Sequence, residues 1–395
     1  MSNPIVDKTN RYIAGTYARA PFALVQGQGM VVTDSDGKQY LDFGSGIAVN
    51  ALGHADPEIV EAVADQVGQL SHTCNLYYTA PQADLAELLC THSFADKVFF
   101  TNSGGEAIEA AIKFSRKYAR TTYGPGKTEM VAFTNAFHGR TAGSLALTPR
   151  EKYQAPFRPL MPDVRIARFN DIAAAEKVIG PETAAVFVEP IQGEGGIVVP
   201  PTGYLKAARE LCRKARVLFV ADEIQTGLGR TGRLFACDHE DVKPDVLILG
   251  KALGGGLMPV SAVLASREIL GVFEPGDHGS TFGGNPLACA VARAAMRVLV
   301  RDRLAERAAV LGGAFMMRLR SLASRNVREV RGRGLLIGIE LKREAGPAKA
   351  FAKKLMNEGV LCKDTVENVL RIAPPLVIEP EELDWAFEHI ARVLG

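Results

Sequence analysis

The chain has no Cys-X-X-Cys pair, no basic tract, no apolar stretch of membrane length, no internal repeat and no low-complexity segment. Each absence removes a class of function. Cys74, Cys90, Cys212, Cys237, Cys289 and Cys362 stand far apart, so neither a zinc site nor a thioredoxin-like pair is expected, and no metal is called for. A chain of 395 residues needs no disulfide staples, so free thiols in a reducing cytoplasm are the expectation. A formal net charge of +2 gives no electrostatic case for nucleic acid or a membrane surface. The longest apolar runs are strand-length, well short of a bilayer span. The opening residues, Met1 to Asp7, lack a charged region followed by an apolar one, so no secretory leader is expected. Neither G-x-G-x-x-G nor a Walker lysine occurs, which argues against nucleotides.

What is present is a regular alternation. The first 45 residues read as a short helix and a meander, with Met30–Thr33 and Gln39–Phe43 strand-like around the turn Asp34–Gly37. From about residue 55, helical spacing alternates with short apolar runs at Val98–Phe100, Met130–Phe133, Ala185–Val188, Val217–Ala221, Val246–Leu249 and Ser261–Leu264. Apolar strands between helices predict an α/β fold whose mostly parallel sheet is covered on both faces. Ligands of such folds bind outside the C-terminal strand ends. Beyond Pro286 a long helix over Leu287–Val300, strands at Leu335–Leu341 and Val369–Ile372, and a closing helix over Glu381–Leu394 are predicted. This tail and the N-terminal segment would form a smaller α+β domain, 1–45 with 290–395, beside a large domain over 46–289.

The chemistry-bearing residues cluster at those strand ends. Lys251 follows Val246–Gly250, and burial there would lower its pKa and free the amine as a nucleophile. Asp222 and Glu223 follow Val217–Ala221. A lysine and an acid at neighbouring strand ends suit pyridoxal phosphate (PLP), which needs an amine for its Schiff base and an acid for its pyridine nitrogen. Taken singly, the lysine is better explained as a solvated loop residue and the aspartate as a turn former or a helix N-cap. Ser103, Gly104 and Gly105 open a helix after Val98–Phe100, where exposed N–H groups and the helix dipole favour a phosphate, although a simple cap would look the same. Phe137 and Arg140 follow Met130–Phe133, one able to stack on a flat ring, the other to grip a carboxylate. Glu189 and Glu194 lie in a glycine-rich loop after Ala185–Val188. His278–Pro286 offers further hydroxyls and glycines.

Together these segments resemble the class III, ω-amino-acid aminotransferases of fold-type I PLP enzymes, from about Leu41 to Ile378. The resemblance implies a seven-stranded, mostly parallel sheet in the large domain. It implies that Lys251 carries the Schiff base and shuttles the proton, that Asp222 pairs with the pyridine nitrogen and that Gln225 contacts the ring hydroxyl. Phe137 would stack on the ring. Ser103, Gly104 and Gly105 would hold the phosphate, with Thr281 supplied across a homodimer interface. The family usually has alanine where Gly105 stands, a change that leaves the backbone donors intact. Arg140 would bind the donor's α-carboxylate, while Glu194 masks Arg371 until 2-oxoglutarate arrives.

Two subfamilies compete. The stretches Gly46–Asn50, Asn75–Tyr78 (with Tyr77 beside the substrate) and Leu335–Leu341 look like acetylornithine aminotransferase. The stretches Leu249–Leu253, Met258–Val263 and Arg371–Ile378 are similar to ornithine δ-aminotransferase. Ornithine enzymes carry a tyrosine near Ile47 that holds the free α-ammonium. An isoleucine cannot pair that charge. The expectation is therefore distal amino transfer from N2-acetylornithine to 2-oxoglutarate, in arginine biosynthesis. Ornithine, 4-aminobutyrate, succinylornithine or carrier-linked lysine are the alternative donors. A non-catalytic binding protein on this fold would lack Lys251 or Asp222, whereas an aminomutase or decarboxylase would keep them.

Overall fold

The computed structural model describes residues 3–395. A helix, Pro4–Tyr12, leads into three antiparallel strands, β1 (Leu24–Gln28), β2 (Val31–Asp34) and β3 (Gln39–Asp42). The turn between β2 and β3 is tied by Asp34, whose Oδ1 accepts from the N–H groups of Asp36 and Lys38, both at 2.9 Å.

The central sheet contains β4 (Lys97–Thr101), β5 (Glu129–Phe133), β6 (Val164–Ala167), β7 (Thr183–Val188), β8 (Leu218–Asp222), β9 (Val246–Leu249) and β10 (Ser261–Ala265). Their order is β4-β10-β9-β8-β7-β5-β6. Only β10 runs against its neighbours. Every residue of β5, β7, β8, β9 and β10 is buried, which is why these strands read as unbroken apolar runs. The edge strands β4 and β6 are partly exposed. Strand β6 is absent from the expected set because Val-Arg-Ile-Ala is too short and too polar to register as an apolar run.

The long helix Pro286–Arg301 starts on Asn285, whose Oδ1 accepts from Ala288 N at 2.9 Å, with proline at its first position. Five strands follow its successor helix, the first four being β11 (Val327–Arg333), β12 (Leu336–Leu341) and, beyond the helix Ala348–Asn357, β13 (Val360–Leu361) and β14 (Lys363–Thr365). The last strand, β15 (Val369–Ile372), completes an antiparallel sheet of order β11-β12-β15-β14. Strand β13 instead pairs in parallel with β3, so the two ends of the chain share one sheet. No described helix is long and apolar enough to cross a membrane.

Candidate active site

Three adjacent strands of the central sheet each end on an ionisable side chain. Strand β8 ends on Asp222, β7 is followed at once by Glu189, and Lys251 lies two residues beyond β9. Lys251 has φ 44°, in the left-handed region, a strained backbone for a residue with a side chain. Burial lowers its pKa, with Arg371 acting in the same sense, while the charges of Asp222, Glu194 and Glu189 oppose. The amine is thereby shifted toward its nucleophilic form.

Asp222 is 5% exposed. Its Oδ2 pairs with His138 Nδ1 at 2.7 Å and its Oδ1 accepts from Ile224 N at 3.1 Å. Glu223, next in sequence, serves the scaffold. Its carboxylate accepts from Ala236 N at 2.6 Å and Cys237 N at 2.8 Å, tying the following loop down. Glu189 accepts from Phe137 N at 2.8 Å and Gly193 N at 3.1 Å, and burial pushes its pKa up to about 7.

Gly104, Gly105, Phe137, His138, Gly139, Glu189, Asp222, Ile224, Gln225, Thr226 and Lys251 line one cavity of about 220 Å³. At one end the helix Gly104–Tyr123 begins, capped by Ser103, whose Oγ accepts from Glu106 N at 3.3 Å. A Cβ on Gly104 would sit 2.8 Å from Ile224 Cδ1, so a larger residue there would have to push the Ile224 side chain aside. His138 Nε2 is buried and has no partner. A helix N-terminus, a cavity lined by Phe137, a buried acid and a lysine whose pKa burial lowers fit PLP: they would suit its phosphate, ring, pyridine nitrogen and aldehyde in turn.

A second cluster adjoins the first. Arg371, 1% exposed on β15, donates through one nitrogen to Glu194 and, at 3.2 Å, to Gln225 Oε1. Lys363 Nζ holds the other Glu194 oxygen at 3.0 Å. Burial opposes ionisation of Glu194, but Arg371 and Lys363 outweigh it and hold its pKa down to about 2. Arg140 is exposed; its guanidinium lies 3.5 Å from the Tyr153 ring centroid and 5.6 Å from that of Phe137, with no carboxylate among the described residues bound to it. Ile47, Tyr77 and Thr281 are all exposed and none lines the cavity.

His138 and Glu189 stand in the sequence motifs without a role of their own. The available signal is position, since both follow buried strands at the ligand-binding end of the sheet.

Fold and site define a PLP-dependent aminotransferase. The family model for class III aminotransferases matches residues 12–394, and the chain belongs to that family, whose members act on amino donors and keto acids. Among its relatives, ornithine aminotransferase of Geobacillus sp. (strain WCH70) is 45% identical over 99% of this chain and 98% of its own. Ornithine aminotransferase 1 of Staphylococcus aureus (strain MRSA252) is 47% identical over 99% and 100%. The solved ornithine aminotransferase of Toxoplasma gondii ME49 superposes with TM-score 0.96 at 39% identity, covering 99% of this chain and 94% of that one. Acetylornithine aminotransferase from Elizabethkingia anophelis gives 0.88 at 40%, covering 99% and 98%.

The expected acetylornithine donor is overturned by the curated relatives, which are ornithine aminotransferases over almost their whole length. The Ile47 argument that carried it assumed a side chain pressed on the substrate. Ile47 is instead 41% exposed, has φ 67° in an irregular turn and does not line the cavity. An isoleucine so placed in this chain need not desolvate an ammonium, so its apolarity does not exclude a charged donor.

Proposed function

We propose that this chain transfers the δ-amino group of ornithine to 2-oxoglutarate. The observation that carries the distal-amine preference is the unequal state of two arginines. Arg371 is neutralised by Glu194, whereas Arg140 faces solvent with no acid among the described residues bound to it. A donor carrying one carboxylate is then anchored by Arg140 through its α-carboxylate, and its far amine reaches toward Lys251. The names of the curated relatives support ornithine among distal-amine donors.

Bound PLP supplies an electrophilic carbon for the donor's amine and a ring that withdraws electrons from the carbon bearing it. Asp222, held in place by His138 and the Ile224 N–H, would pair with the protonated ring nitrogen. Lys251, with its lowered pKa, would take a proton from the donor's δ-carbon as general base and hold it on Nζ as the acid of the 1,3-proton shift. Phe137 would pack beside the ring, Gln225 would meet its hydroxyl, and Ser103, Gly104 and Gly105 would hold the phosphate. When 2-oxoglutarate enters, Glu194 leaves Arg371, and the keto acid's two carboxylates take Arg371 and Arg140.

We assign the working form as a homodimer in which the partner subunit supplies Thr281. Leu76, Tyr77, Tyr78 and Phe282 are 85%, 66%, 105% and 56% exposed, an apolar surface suited to a second copy. The free state of all six cysteines agrees with a reducing cytoplasm.

The test is rapid mixing of the PLP-loaded protein with ornithine, and separately with N-acetylornithine, while following the cofactor's absorbance. Ornithine should convert it faster, and 2-oxoglutarate should restore it. Faster conversion by N-acetylornithine sinks the reading.

A further inference from the structure

Glu194 carries two cations. Its Oε1 meets Arg371, and its Oε2 meets Lys363 Nζ at 3.0 Å. The two cations are not a chance pair. Lys363 on β14 and Arg371 on β15 are direct cross-strand partners, so the sheet fixes their spacing on one face. Thr365, two residues along β14, donates its hydroxyl to the Glu194 carbonyl at 2.6 Å. The loop is therefore tied to β14 through backbone, and the Glu194 side chain is the part left to move.

We propose that Lys363 is the second seat of Glu194: it keeps the carboxylate paired when a dicarboxylate ligand takes Arg371, and so sets the affinity for the keto acid. This rests on the reading that Glu194 leaves Arg371 during the second half-reaction. Glu194 has a side chain only 12% exposed. Releasing Arg371 would leave a buried, unpaired anion, an arrangement strongly disfavoured unless another cation is in place. Lys363 suits the task. Its side chain is 42% exposed, and its flexible stem lets the ammonium follow a carboxylate that swings away. With Arg371 engaged, Glu194 shares its charge between two cations. With Arg371 surrendered, Lys363 is the cation left to it. Removing Lys363 therefore penalises the open arrangement more than the closed one, which is what a specificity-determining positioning residue must do.

The experiment uses the PLP-loaded enzyme and glutarate, a dicarboxylate with no keto group, titrated by calorimetry. Lys363→Met keeps the length and removes the charge. It should weaken glutarate binding about tenfold, within the usual range of coupling between sites. The KM for 2-oxoglutarate should rise in step, while the rate of the ornithine half-reaction moves less than twofold. Lys363→Arg should restore most of the affinity. In Glu194→Gln no charge needs a seat, so adding Lys363→Met should change glutarate binding by less than twofold. A Lys363→Met enzyme that binds glutarate like the parent overturns the proposal, as does an undiminished effect of Lys363→Met in the Glu194→Gln background. Inertness toward ornithine with glutarate binding still dependent on Lys363 would instead defeat the donor assignment and leave this inference standing.

Discussion

Glu189 and His138 stand beside Asp222 at three neighbouring strand ends. Burial acts to lower the His138 pKa, but the hydrogen bond and charge of Asp222 outweigh it and raise it. Glu189 is raised to about 7, first by burial and then by Asp222, against His138 and two N–H donors. A carboxyl raised in the folded state binds its proton more tightly there than in the unfolded chain. Its contribution is fully present below the ordinary carboxylate pKa and is lost as pH rises toward 7. Glu189→Gln should therefore flatten that part of the stability profile. The pH-dependent loss it abolishes is at most about 3 kcal/mol, because a tenfold change in proton affinity corresponds to roughly 1.4 kcal/mol. Urea denaturation of the cofactor-free protein between about pH 4.5 and 7.5 reads this directly, and parallel profiles for parent and variant would refute it.

The helix Gly104–Tyr123 packs on the sheet through buried side chains such as Ile108, Ile112 and Phe114, and its glycine start lies close to the site. Gly104 admits no Cβ without pushing Ile224, which itself lines the cavity, whereas a Cβ on Gly105 would sit 3.2 Å from Thr141 Cγ2, tight but able to give. Gly104→Ala should raise the PLP dissociation constant roughly tenfold, in line with about 1–3 kcal/mol for overpacking. Gly105→Ala should stay within about twofold. Absorbance titration of PLP into the stripped protein separates the two, and equal losses would contradict the account. The same contrast between buried and half-exposed backbone explains what is legible in the sequence. The buried strands β5, β7, β8, β9 and β10 stand out because no position in them faces water. Strands β1, β6 and β11, half-exposed and carrying Gln, Arg and Glu, give no periodic signal. Lys251 and Asp222 are legible because strand ends point at ligands. The contact between Glu194 and Lys363 is not, because 169 residues separate them and only the pairing of β14 with β15 brings Lys363 to Arg371.

For the whole molecule the question is what covers the surface formed by residues 72–78 and 280–284. These two segments are one structure: Asn75 Nδ2 donates to Ser280 O at 3.2 Å and Gly283 O at 2.9 Å, and the His72 and Phe282 rings lie 4.5 Å apart. The same piece also reaches the candidate phosphate site, because Asn102 Nδ2 donates to Ser280 Oγ at 3.1 Å. An apolar patch joined in this way to a helix N-terminus has a reason to be covered by a second copy, since docking there would complete the site while burying Leu76, Tyr78 and Phe282. Tyr78 is fully exposed and makes no side-chain hydrogen bond to a described residue, so Tyr78→Glu disturbs docking without removing such a bond. The PLP-loaded parent should sediment as a dimer at micromolar concentration. Tyr78→Glu, with Phe282→Arg as a second variant, should shift the equilibrium at least tenfold toward monomer, the cost of about 1.4 kcal/mol or more for a charge placed in an apolar contact. Activity per chain should then fall on dilution in the variants and recover at high concentration, following the dimer fraction measured by sedimentation. A monomeric variant with the parent's specific activity would mean that one chain suffices, and that Thr281 of a partner subunit has no part in the reaction.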